Sequence, residues 1–139
     1  MKKLIVVAAV ALTLLGSPAY AAENDAVKKA QDAAKAWLAL IDSAQYGRSW
    51  DDAAPIFKTS VSKADWESTC KAVRSPLGSV KSRTVKAATF TRTLAGAPDG
   101  EYVVIEYDTA FENRAPAAET VTPMLDKDGS WRISGYYIR

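Results

Sequence analysis

Residues 44–54 read AQYGRSWDDAA and gather more chemically capable side chains than any other short stretch of the chain. Tyr46, Arg48 and Trp50 supply two aromatic faces and a guanidinium, which together can grip an anionic or planar ligand through charge, stacking and cation–π attraction. Each neighbour also has a structural explanation. Gly47 is suited to end one helix in a left-handed conformation and Ser49 to cap the next. Asp51 and Asp52 would then sit in that helix's first turn, against its dipole. Tyr46 and Trp50 can staple such a corner to the core, which leaves Arg48 as the one residue the corner does not need.

Two further sets could carry chemistry. Tyr107 and Tyr137 fall among Val103, Ile105, Phe111, Trp131 and Ile133 on apolar alternating positions, so a curved sheet would give that face a concave pocket with two phenols as polar handles. The competing account is a filled core whose hydroxyls find backbone partners. Glu106, Asp108 and Glu112 occupy the opposite face of the same segment, where paired carboxylates can do acid–base work or hold calcium. Lys81, Arg83, Lys86 and Arg92 lie on the neighbouring strand, and an exposed ion-pair lattice accounts for the acids without a site.

The chain has no histidine, which excludes a His-based triad, a His-containing zinc site and a His general base. Cys70 is the lone cysteine, so no intramolecular disulfide forms, and its spacing from Trp66 and Val73 places it on a buried helical stripe. No metal-ligand spacing stands out, and no cofactor is expected.

The elements that must position these residues follow from periodicity. Val27, Ala30, Ala34, Trp37, Leu38 and Ile41 recur on one face of a helix, capped by Asn24 or Asp25 and running to about Ser43. Ser49 followed by Asp52, and Ser62 followed by Asp65, resemble capping boxes. They predict a short second helix through Phe57, strained near Pro55, and a third through Arg74 with Trp66, Cys70 and Val73 inward. Ser75-Pro76-Leu77-Gly78 ends the helical part. From there the period is two, with strands expected over 79–93, 101–113, 119–126 and 131–138. Turns fall at 94–100, at 114–118 and at Asp128-Gly129. In the second strand Val103, Ile105, Tyr107, Thr109 and Phe111 share one face; in the last, Trp131, Ile133, Gly135 and Tyr137 do. The class is α+β, with three N-terminal helices packed on one face of a curved four-stranded antiparallel sheet.

Residues 1–21 have the grammar of a signal peptide. Lys2-Lys3 precede an apolar run from Leu4 to Leu15, and small residues flank the Ala21–Ala22 bond. That run of 12 residues is short against the ~20 of a spanning helix. The expectation is a single domain over 22–139, exported to the periplasm or beyond, with no membrane span after cleavage. Of 18 basic and 16 acidic residues, Lys2 and Lys3 leave with the peptide, so the remainder is neutral. A neutral domain without a basic run argues against nucleic acid.

The segments AWLALIDSAQYGRSWDDAA, KAVRSPLGSVKSR, DGEYVVIEYDTAFEN and ETVTPMLDKDGSWRISGYYIR, in that order, resemble a bacterial family described only as domain-of-unknown-function family 4019. More loosely, the layout is similar to cone-shaped folds of the nuclear transport factor 2-like and cystatin-like kind, which often enclose a pocket. The functional expectation is a small exported binding or interaction module for a protein or small molecule, leaning away from an enzyme. The alternative is a histidine-free isomerase or dehydratase with a carboxylate base in the cavity. Strand alternation puts Glu106 and Asp108 on the wrong face for that role, leaving Asp42 near the end of the first helix. A homodimer on the open face of the sheet is the third reading.

Overall fold

The structure, a computed structural model, describes residues 17–139. Residues 1–16 of the expected signal peptide lie outside the described residues. Ser17 and Pro18 start the first helix: α1 spans Pro18–Asp42. The Ser17 hydroxyl accepts from the Tyr20 amide at 3.2 Å, and Pro18 occupies the first helical position, where a missing N–H leaves no bond unmade. Asn24 and Asp25 are therefore not the cap. The added turns stay largely exposed, and α1 buries Ala30, Ala34, Trp37, Leu38 and Ile41 as its spacing predicts.

The end of α1 is a Schellman motif built without glycine. Gln45 donates its amide to the Leu40 carbonyl at 2.8 Å and Ala44 donates to Ile41 at 3.1 Å. Ala44 takes the left-handed position, at φ +59°, the role expected of Gly47. Gly47 lies instead inside α2, Tyr46–Asp51, where an added Cβ would meet Glu67 Oε1 at 3.0 Å and Lys63 Cε at 3.1 Å. Its smallness serves the close approach of α2 to the helix carrying those residues.

The single helix expected from Ser49 to Phe57 is two. Proline cannot continue a helix but opens one well, so α2 stops and Pro55 becomes the first residue of α3, Pro55–Ser60. Ser49 is consequently no cap. It is fully buried within α2, where its hydroxyl donates to the Tyr46 carbonyl at 2.6 Å and accepts from Trp66 Nε1 at 2.9 Å, while its carbonyl accepts from Trp37 Nε1 at 2.8 Å. Helix α4, Lys63–Arg74, begins as expected, with Ser62 accepting from the Asp65 amide at 3.2 Å. Its inward stripe is Trp66, Cys70 and Arg74; Val73, expected inside, is 46% exposed. A 3-10 turn, Ser75–Leu77, closes the helical part.

Four strands follow: β1 Val80–Thr91, β2 Tyr102–Phe111, β3 Arg114–Leu125 and β4 Trp131–Ile138. They form one antiparallel sheet in the order β1-β2-β3-β4, as expected for the α+β class. β3 absorbs the segment 114–118 expected as a connection. Pro116 fits there because it falls in a register slip between Ala117 and Arg114, where no ladder amide is required. β2 buries Val103, Ile105, Tyr107, Thr109 and Phe111 as alternation demands. α1 crosses all four strands and closes the core against them.

The last strand departs from the expected pattern. Thr122 pairs with Gly135 and Pro123 with Ile133, so Ser134 is an extra residue in β4. Pro123 has no amide to offer at that point, and the Ser134 hydroxyl donates to the Thr122 carbonyl at 2.7 Å. One added residue reverses the facing of everything after it. Tyr136 therefore packs against the core, and Tyr137, expected inward, is 47% exposed.

A non-glycine residue in the left-handed region is strained, and glycine relieves that at an entropic cost in the unfolded chain. Ala44→Gly is expected to stabilise the fold by about 0.5–1 kcal/mol, measured as a higher urea midpoint at unchanged slope. A lower midpoint would show that Ala44 is not strained.

Candidate functional site

Thr109 of β2 points into the core, and the strand register sets Arg83 of β1 opposite it. Arg83 thus faces away from Glu106 and Asp108. The expected lattice of Lys81, Arg83, Lys86 and Arg92 with Glu106, Asp108 and Glu112 does not form among the described residues. Glu106 and Asp108 stand exposed, Glu112 accepts from Ser79, and Arg92 lies 4.0 Å from Glu23.

Arg83 instead forks two carboxylates at once. Its Nε and Nη2 donate to Glu119 at 2.8 and 3.3 Å, and its Nη1 and Nη2 donate to Asp42 at 2.7 and 3.0 Å. Glu119, on β3, has no exposed surface. Its remaining acceptor positions are filled by the Thr109 hydroxyl and the Tyr136 hydroxyl, each at 2.5 Å. Asp42, at the end of α1, also accepts from Arg74 Nη2 at 2.9 Å. Two carboxylates and two guanidiniums leave the cluster neutral, which is what a low-dielectric interior requires. It joins α1, α4 and all four strands.

Electrostatics follow this geometry. Burial pushes the Asp42 carboxyl up, but hydrogen bonds and charge from Arg83, then Arg74, outweigh it and hold the group below the ordinary carboxylate range. Burial works against the charged form of Arg83, and the two carboxylates more than reverse that, raising its pKa. The Tyr136 phenol is pushed well up, first by burial and then by the Glu119 charge and hydrogen bond. Burial raises Cys70 to about 12, opposed by the charge of Arg74, so the thiol stays protonated.

Beside the cluster, α4 stands off from β4. Trp66, Cys70 and Val73 on one side and Tyr136, Tyr137 and Ile138 on the other line a cavity of about 240 Å³, with Arg74 also on its wall. Arg74 is 6% exposed; its Nε and Nη1 have no hydrogen-bond partner among the described residues, and its guanidinium stacks 5.1 Å from the Phe111 ring centre. The cavity is thus largely apolar, with Thr69 and the Arg74 guanidinium as its polar lining.

The five residues singled out from sequence do not converge. Tyr46 packs at the start of α2, and Trp50 donates Nε1 to the Val61 carbonyl at 2.8 Å, stapling α2 to the approach of α4. Arg48 is exposed, 3.8 Å from Asp52, on a separate groove with Ala33, Ala36 and Trp131. Tyr107 is buried beside Arg83 and lines a third hollow, toward α1. Tyr137 alone borders the α4/β4 cavity, and strand alternation turns its side chain to the outer face of the sheet. Glu119, Thr109, Tyr136 and Arg74 were missed.

The fold and cluster define a small α+β protein in which helices close one face of an open antiparallel sheet over a neutral buried ion-pair network. The chain belongs to the family described as Protein of unknown function (DUF4019), whose model matches residues 33–136, a span that includes every member of the network. Neither the curated proteins nor the solved structures gave a match.

Because the folded pKa of Asp42 lies below its unfolded value, the stability it contributes is complete above about pH 4. It is lost as pH falls through the folded value. Asp42→Asn is expected to be less stable than wild type at pH 7 by about 2 kcal/mol, with the gap closing toward pH 2. Urea unfolding across that range checks this; a gap independent of pH would mean that Asp42 is not the titrating group.

Proposed function

We propose that this protein is a small exported, non-catalytic binding module, working in the periplasm or outside the cell, that seats an apolar group of its ligand or partner between α4 and β4. The observation that carries the reading is the largely apolar cavity of about 240 Å³ on whose lip Val73, a large aliphatic side chain, is left 46% exposed. Val73 would lose water when the cavity is occupied, worth about 1–2 kcal/mol on burial.

What supports a non-catalytic role is the state of the carboxylates. Glu119 lies within reach of a phenol, as an acid–base pair would require, but all four of its acceptor positions are taken and no path from solvent reaches it. Asp42 is held ionised by two arginines, which weakens it as a base. The open face of the sheet presents exposed Glu106 and Asp108, which favours solvent over a second copy there. Among the described residues no helix is long and apolar enough to cross a membrane.

Export is supported by the basic start, apolar run and small residues of the first 21 positions. Of the described residues, cleavage at Ala21–Ala22 would remove only Ser17 and the exposed first turn of α1, none of it in the core. The protein recovered after export is expected to begin at Ala22, read by intact mass; a full-length mass would remove this part of the reading.

Occupancy of the cavity is tested with anilinonaphthalene sulfonate, an apolar fluorophore. The wild type is expected to bind it with blue-shifted emission, and Val73→Glu, at an exposed position, to weaken binding by roughly tenfold at unchanged thermal stability. Equal binding by the variant would place the probe elsewhere and overturn the assignment of the seat.

A further inference from the structure

We propose that the groove between α4 and β4 accepts an extended peptide segment of a partner protein, which pairs with the free edge of β4 as a fifth strand. The inference rests on that groove being the binding seat and names what enters it.

β1 and β4 are the outer strands of the sheet, and they are not equivalent as edges. β1 carries register slips that place extra residues at Lys81 and at Lys86, so both of its bulges bear a lysine. Bulges and lysines are two of the devices that keep an edge from pairing with another chain. β4 reads WRISGYYI, with no lysine and no proline, and its bulge at Ser134 precedes the stretch Gly135–Ile138.

The first part of the β4 edge is closed from within the chain, since the Ala54 amide donates to the Ile133 carbonyl at 2.9 Å. The second part is open. Arg139 and Ala118 exchange both backbone bonds, at 2.9 and 3.2 Å. Antiparallel alternation then turns Tyr137 and Gly135 toward β3, and turns the backbone groups of Tyr136 and Ile138 outward. Those amides and carbonyls have no partner among the described residues. They form a row of donors and acceptors that only an extended backbone satisfies in sequence, which a helix or a small apolar molecule does not.

The opposite wall suits the same occupant. A strand laid along β4 alternates its side chains between the two faces of the sheet, and those on the core side drop into the cavity against Cys70 and Val73. At the far end the Arg139 guanidinium lies 5.0 Å from the Tyr137 ring centre, where an acidic residue of the incoming strand would meet it. The fitting segment therefore alternates apolar residues and carries an acidic residue near the Ile138 end.

The test pans a random-peptide phage library against the protein purified after export, then follows amide exchange by NMR with the selected peptides added. Selected peptides are expected to alternate apolar residues and to slow exchange at Tyr136 and Ile138 by roughly tenfold or more. Ile138→Pro removes only an outward amide and leaves the ladder to β3 intact. It is expected to abolish the peptide effect. Selection of no peptide, or of peptides that leave both amides unprotected, overturns strand addition. So does protection that rises with protein concentration alone alongside a dimer on sizing, which would mean that β4 pairs with a second copy. If the fluorophore binds and no peptide protects the edge, strand addition alone falls; if the fluorophore also fails, the seat falls with it.

Discussion

A carboxylate with no contact to water governs the arrangement of this molecule. Glu119 cannot be buried in the ionised form unless its acceptor positions are met, and four donors from three other strands meet them. That requirement fixes the register of β1 through Arg83, of β2 through Thr109 and of β4 through Tyr136. Arg83 then needs a second carboxylate for its outer edge, which places the end of α1 at Asp42, and Asp42 in turn recruits Arg74 from α4. Removing one member would leave a buried charge exposed to an apolar interior, so the cluster acts as a unit and its cost of disruption exceeds that of any single hydrogen bond.

The helical layer has its own fixed point, and it is equally polar. Ser49 receives the indole N–H of Trp66 on its hydroxyl and that of Trp37 on its carbonyl, so three helices meet at one small residue. Both indoles then pack edge to face or tilted within a cluster that includes Phe57 and Tyr136. Burying tryptophan is favourable only when its N–H finds an acceptor. A serine inside a short helix supplies two acceptors where an alanine would supply one. Tyr136 belongs to this aromatic cluster through its ring and to the Glu119 network through its hydroxyl, and so couples the two layers.

Much of this architecture was legible in the chain. The period-two run in β2 gave its inward face residue by residue, and the 3.6-residue recurrence gave the buried stripe of α1. Ser62 was legible as a cap because the Ser-x-x-Asp pattern is local. What escaped were features that depend on a partner element. The β4 bulge is a count of residues against β3, and nothing within WRISGYYI announces it; hence Tyr137 was expected inside and Tyr136 was not. Ala44 holds a position that chemistry assigns to glycine, which made Gly47 the natural but mistaken choice. Glu119 was closer to reach. Val121 is apolar and inward, and counting back by two through β3 would have set a lone carboxylate on the core face, with Arg83 the only inward cation on β1 to answer it. The candidate site was legible only in Tyr137, because grooves arise where elements fail to meet, and a sequence pattern reports where they do.

The buried network and the open groove are two consequences of one geometry. Glu119 draws Tyr136 inward by its hydroxyl, and Asp42 draws Arg74 toward the end of α1, so both walls of the α4/β4 cavity are anchored from beneath. With Arg74 taking the inward position on α4, Val73 one residue earlier is turned out of the core; with Tyr136 taking it on β4, Tyr137 is turned out in the same way. Val73 at the lip of the groove and Tyr137 on the outer face of the sheet are therefore the sequence neighbours of the two residues the network holds. A groove made by such a mechanism is preorganised, since its walls cannot relax toward each other without breaking bonds to a buried charge. The groove stays open because the molecule satisfies its interior first.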